Sequence, residues 1–247
     1  MILILGSSHD DILYYETQLK NPIEETLRSK VHVIKGELYG QNVILAYDVY
    51  SNYVSSAITS YLIVKYDVLL VINVGIGQGI EKEFKKGDIV VSKSILLGDV
   101  DLALTSKSSL GEIPNFGKIF HSSQDFANLA TEFANRFMIA GFKEGVFISM
   151  NKNIQKIGEL NDISSGSLVL GASDNIVYDT TSGGVAVSSY LLDVPFISFK
   201  VIINNLSSNI STTDKIKALK SFANLGKIVT SIVIEIGRND TISIDTH

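Results

Sequence analysis

Three short stretches carry residue types able to do chemistry. The first is His9-Asp10-Asp11, the acidic and histidine cluster that follows the apolar run Ile2-Leu3-Ile4-Leu5-Gly6. Metal binding would need several of these side chains on one ion, and three consecutive residues in regular structure cannot all point at it. Asp11 as a general base is more economical, because a carboxylate beside a strand end can take a proton from water. The same residue also fits as a first-turn acid at a helix N-terminus. The second stretch is Gly75-Ile76-Gly77-Gln78-Gly79. It has the glycine content of a dinucleotide loop without its register, since the next residue is Ile80 and a charged turn follows. Such glycines suit close approach of backbone to a small ligand, or a plain strand-to-loop turn. The third is Asn204-Asn205. A carboxamide donates and accepts, which suits a purine edge, but asparagine is equally at home in a turn. His32, His121 and His247 are scattered and read as surface or structural residues.

Composition removes several classes of function. The 247 residues include no cysteine, which excludes disulfide frameworks, thiolate metal sites and thiol nucleophiles. The net charge is −5, so no broad basic face for nucleic acid is expected. Of the basic residues only Arg28, Arg136 and Arg238 are arginine, which leaves little for bidentate clamping of phosphate. Apolar residues make up 45% and charged residues 19%, a globular composition. Lys65, Asp67 and Lys200 interrupt the longest apolar stretches, so no membrane span is expected. The opening residues lack a basic segment and a signal-length apolar run, and the expectation is a cytoplasmic protein.

The elements that must position these residues follow from periodicity. Residues 1–6 and 68–74 read as buried strands, and 31–38 with 42–49 as a hairpin across Tyr39-Gly40. Helical spacing covers 52–64, 126–138 and 182–192, and a long C-terminal helix begins at an N-cap of Thr213-Asp214. Short strands are expected at 89–92, 146–149, 168–170 and 194–203. Residues 99–114 and 151–166 read as loop, and 238–247 as a polar tail beyond a single domain of 1–237. Alternating strands and helices predict an α/β fold, a three-layer α/β/α sandwich around a mixed, largely parallel central sheet. Ligands of such sheets sit at the carboxyl ends of the strands.

Several of these segments, in this order, resemble the nucleoside phosphorylase/nucleosidase superfamily, and within it the 5′-methylthioadenosine/S-adenosylhomocysteine nucleosidases. The resemblance rests on the first strand ending in Gly6 with acids at Asp10 and Asp11, and on Val71 to Gly79, where the family has Asn-x-Gly-x-x-Gly-Gly. It rests also on Lys86-Gly87-Asp88-Ile89-Val90-Val91-Ser92, on Asp99-Val100-Asp101 with Gly111-Glu112-Ile113-Pro114, and on Val194-Pro195-Phe196. It covers residues 1 to 236.

The resemblance implies hydrolysis of the bond between ribose and a purine, with no cofactor and no metal, in a homodimer whose partner molecule is a purine nucleoside or base. One carboxylate activates water, a second holds the ribose hydroxyls, and an aspartate protonates the leaving purine. Asp11 falls where the family has its water-activating glutamate. The ribose-binding Glu-Met-Glu stretch falls on Asp179-Thr180-Thr181, so the hydroxyl-binding glutamate becomes Thr181. The proton-donating aspartate falls on Asn204, the base-stacking phenylalanine before Ile154 on Asn153, and the serine of the glycine loop on Ile76. Ser7, Ser8 and Gly75 complete the implied substrate contacts. No arginine stands beside Gly75, which argues against phosphate-dependent cleavage. These replacements imply weak or altered hydrolysis, with two alternatives. One is a non-catalytic binder of nucleosides or purines. The other is an enzyme of the 6-oxopurine nucleoside phosphorylase type, whose site has an asparagine near this place.

Overall fold

The computed structural model describes residues 1–27, 30–80, 84–102, 109–152, 175–205 and 212–238. Its strands form one ten-stranded sheet. Strand β1 (Ile2–Gly6) lies between β4 (Gln41–Tyr47) and β5 (Leu70–Gly79), parallel to both. β3 (His32–Leu38) pairs with β4 as the expected hairpin, turning at Tyr39 and Gly40. The outer strand β2 (Lys20–Thr26) pairs with β3 and is exposed along most of its length. Its Lys-Asn-Pro-Ile-Glu-Glu-Thr sequence carries no apolar alternation and so no strand signal; proline and charge are tolerated because this is an edge.

On the other side the sheet curls. β10 (Phe196–Asn205) pairs with β5 and with β6 (Ile89–Leu97), which continues through β8 (Phe142–Ser149) and β9 (Asn175–Asp179) back to β5. These five strands close a ring, and the short β7 (Ile119–His121) hangs on β6. Helices cover both faces. One apolar core packs α1 (His9–Glu16), α3 (Gln124–Arg136) and α5 (Thr212–Arg238) against the sheet. A second packs α2 (Ser51–Tyr66) and α4 (Ser182–Leu191) against the opposite face. This is the expected mixed α/β sandwich.

Three boundaries differ from expectation in ways that bear on function. β5 does not stop at Val74 but runs through the glycines to Gly79. Asn204 and Asn205 lie within β10 rather than after it, beyond an irregularity between Ile202 and Asn204. α3 ends at Arg136, and Met138 adopts a left-handed turn, 87% exposed, instead of extending the apolar stripe. The expected strand at 168–170 and the tail at 239–247 lie outside the described residues.

Candidate active site

The site is built where β1, β5, β9 and β10 approach one another. β1 ends in Gly6, and a Cβ there would stand 2.8 Å from Ile12 Cγ2 and 2.9 Å from Asp11 Cβ. Only glycine allows the chain to turn so sharply into α1. The turn buries Asp11, whose Oδ2 accepts the backbone N–H groups of Ser7 (2.8 Å) and Ser8 (2.9 Å). His9 and Asp10 remain exposed, and His9 pairs with Glu16. The three consecutive residues therefore do not converge, and among the described residues no group of His, Asp and Glu is arranged to hold a metal. Burial pushes the Asp11 carboxyl above its ordinary value; the two backbone N–H groups and the Lys200 ammonium pull the other way without cancelling the effect. The capping reading of Asp11 is thus what the helix start shows, and the carboxyl is buried beside Lys200 at the same time.

Asp179 closes β9. Its Oδ2 accepts Ser182 Oγ–H (2.6 Å), the Ser182 N–H (2.9 Å) and the Thr181 N–H (3.3 Å), so this one oxygen holds the start of α4. The same oxygen lies 3.0 Å from Lys200 Nζ, which also donates to Thr181 Oγ1 at 3.0 Å. Lys200 is fully buried in the middle of β10, and Asp179 and Thr181 are buried with it. Burial alone would raise the Asp179 carboxyl, but Lys200 and the Ser182 hydroxyl outweigh it and hold the group below its ordinary value. The other oxygen, Asp179 Oδ1, is buried and has no hydrogen-bond partner among the described residues. A buried acceptor of this kind calls for a donor from water or ligand.

The glycines of β5 make room for this arrangement. Gly75 is in register with Lys200. A Cβ at Gly75 would lie 3.3 Å from Lys200 Nζ and 3.5 Å from both Asp11 Oδ2 and Ser7 Oγ. A Cβ at Gly77 would lie 3.0 Å from Lys200 Cβ and 2.7 Å from Val177 Cγ1. The glycines therefore let a lysine lie across the strand, inside a strand rather than in a loop.

Further polar groups brace the same place. Asn73 Nδ2 donates to Ser182 Oγ (2.9 Å), and Ser55 Oγ donates to the Thr181 carbonyl (2.8 Å). Asn52 Oδ1 accepts from Ser149 Oγ (2.9 Å) and the Gly184 N–H (3.0 Å). α2, β8 and α4 are tied together behind the acidic centre.

Of the residues expected from sequence, Ser7, Ser8, Asp11, Gly75, Asp179 and Thr181 gather around Lys200. Thr180 is half-buried beside them. Ile76 follows Gly75 on a strand, so it faces the other side of the sheet, where it is 45% exposed. Asn204 is buried and in register with Gln78, four residues along β10 from Lys200 and past the irregularity. Asn153 and Ile154 lie outside the described residues. Lys200 itself was missed as a site residue. Its signal was present, a lone charge inside the apolar strand Phe-Ile-Ser-Phe-Lys-Val-Ile-Ile, where only a paired lysine is tolerated.

This fold, with its site at the converging strand ends, is that of a known group. The sequence profile described as the phosphorylase superfamily matches residues 2–235, and the chain belongs to that superfamily. A 5′-methylthioadenosine/S-adenosylhomocysteine nucleosidase of Staphylococcus carnosus (strain TM300) is 23% identical over 202 residues, covering 82% of this chain and 85% of the relative. The Neisseria meningitidis nucleosidase of the same name, solved with methylthio-immucillin-A, superposes with a TM-score of 0.84 at 19% identity, over 95% of this chain and 98% of that one. The futalosine hydrolase of Helicobacter pylori strain 26695 superposes with a TM-score of 0.82 at 24% identity, over 95% and 97%.

Proposed function

We propose that this chain binds a purine nucleoside of the 5′-methylthioadenosine class and hydrolyses its N-glycosidic bond slowly. The observation that carries the reading is the convergence of Asp11, Asp179 and Thr181 on one buried lysine. In this scheme Asp11 takes a proton from the attacking water. Asp179 Oδ1, the acceptor left open, receives a ribose hydroxyl, and the Thr181 hydroxyl stands beside it. Lys200 keeps Asp179 ionised, so that negative charge faces the cationic sugar of the transition state. Asn204 holds the purine edge but brings no carboxylic acid to the leaving base. Each acid or base normally contributes about 10²–10⁴-fold, so a site short of two carboxylates is slow. The fold alone leaves the substrate open, since one architecture hosts many sites.

The test is adenine release from 5′-methylthioadenosine by the purified protein, measured across pH. Release should be slow, and it should fall with acidity. Asp11 must be ionised to act as a base, and its folded value is raised, so the acid limb lies above 3.8, the ordinary value. A rate flat in pH across that limb would remove Asp11 as the base; a rate typical of efficient enzymes would contradict the weak-activity reading.

The binder alternative is favoured by one feature: Lys200 already satisfies Asp179 Oδ2 and Thr181 Oγ1, leaving a site that is stable without chemistry. Binding without base release at any pH would select it.

A cytoplasmic homodimer belongs to the same proposal. Exposed apolar residues on α2 and α4, among them Tyr53, Val64, Tyr190 and Leu191, support a self-association face. Among the described residues no helix is long and apolar enough to cross a membrane. Sedimentation equilibrium should give twice the chain mass; a monomer at micromolar concentration would remove this element.

A further inference from the structure

A second polar concavity lies away from the acidic centre. It is a cavity of about 450 Å³ lined by Lys85, Lys86, Asp88, Lys143, Lys220 and Ser221, with Gly87, Ala140 and Gly141 as its floor. Among the described residues four lysines meet one aspartate there, in a chain with more acids than bases. The aspartate is already engaged: Asp88 Oδ2 lies 3.0 Å from Lys143 Nζ and accepts the Lys85 N–H at 3.0 Å. Among the described residues Lys85 and Lys220 have no ion-pair partner, and both are exposed.

The floor is fixed rather than fluid. Gly87 and Gly141 both have left-handed backbones, and a Cβ at Gly141 would fall 2.4 Å from Asp88 Oδ1. Ser221 Oγ donates to the Gly87 carbonyl (2.8 Å), the Gly87 N–H donates to the Ile202 carbonyl (2.7 Å), and the Ile89 N–H donates to the Gly141 carbonyl (3.1 Å). Four chain segments are thereby locked beneath a rim of ammonium groups.

We propose that this concavity binds the phosphate groups of an oligophosphate anion. Several ammonium groups around one hollow call for a multiply charged partner, and a lysine meets phosphate as a compact point charge. The volume is that of a small-molecule pocket, and the chain's net charge of −5 disfavours a nucleic acid strand. Among the described residues no aromatic side chain lines the hollow, so a nucleobase finds nothing there to stack on and phosphate alone is read. The proposal is independent of the nucleoside reading, since neither Asp11, Asp179, Thr181 nor Lys200 lines this cavity.

Calorimetric titration of the full chain with pyrophosphate, tripolyphosphate and ADP tests it. One-to-one saturable binding is expected, weakening as salt rises from low to physiological strength, with ADP binding no tighter than pyrophosphate. The double variant Lys85→Gln/Lys220→Gln should melt as the parent does and bind at least about tenfold more weakly, since each hydrogen bond to a charged group is worth about that much. Lys65→Gln, on an ion pair elsewhere with Glu25, should bind as the parent does. Absence of saturable binding, equal affinity in the double variant, an equal loss in Lys65→Gln, or ADP binding far tighter than pyrophosphate would each overturn the assignment.

Discussion

Changing Thr181→Glu and Asn204→Asp together will raise adenine release from 5′-methylthioadenosine by at least about 10²-fold. The two substitutions put carboxylates at the positions onto which the resemblance carries the ribose-binding glutamate and the proton-donating aspartate. A glutamate at 181 would meet Lys200 Nζ, which now reaches the Thr181 hydroxyl at 3.0 Å, so the new charge enters beside a ready partner. An aspartate at 204 would be buried as Asn204 is, and burial raises a carboxyl toward the range in which it can donate a proton near neutral pH. The effects should be more than additive, because leaving-group protonation and charge at the sugar act on one transition state. Steady-state release of adenine, followed by chromatography, checks the result. A doubly substituted protein that binds the nucleoside yet releases base no faster than the parent would show that the missing carboxylates do not limit the reaction.

Replacing Lys200 by methionine will destabilise the fold by about 3–5 kcal/mol, because it strands a buried carboxylate without its counter-ion. Asp179 and Lys200 are both buried, 3.0 Å apart, so the carboxylate would be left in the interior without its counter-ion. The companion change Lys200→Met/Asp179→Asn should recover part of the loss, since an amide is neutral. The sign with pH follows from Asp179. Its folded value lies below the ordinary 3.8, so its stabilisation is present above that value and lost as pH falls through the folded one. Lys200→Met should abolish that acid-side loss. The same change should move the acid limb of any activity to higher pH, because Lys200 helps keep Asp11 ionised. Urea denaturation of the single and double variants measures the first effect. A single variant within about 1 kcal/mol of the parent would contradict a structural ion pair.

The alternation of strands and helices was legible because buried strands such as Ile2–Gly6 and Leu70–Val74 are apolar runs, the second broken only by Asn73. The hairpin was legible because Tyr39-Gly40 breaks the pattern between two such runs. β2 was not, since an exposed edge needs no apolar face. β9 was not, since it is short and borders a segment of weak pattern. The closed ring was not, because pairing of β5 with both β9 and β10 joins residues far apart in the chain. For the site, Asp11 stood out as an acid at a strand end, whereas Asp179 came only from the resemblance, because the strand that it closes carries no clear pattern. Lys200 did not stand out, because its partner Asp179 is 21 residues away and the pairing appears only once β9 and β10 flank β5. Ile76 stands on the other face from Gly75 because strand geometry continues through the glycines, which the expected turn at Val74 did not show.

A crystal structure of the protein with 5′-methylthioadenosine tests most directly whether the nucleoside binds at this centre. The nucleoside should be held at the ends of β1, β5, β9 and β10, with a ribose hydroxyl within hydrogen-bonding distance of Asp179 Oδ1 and the purine edge against Asn204. A nucleoside bound with its ribose away from Asp179, or a site that stays empty at saturating ligand, would contradict this placement.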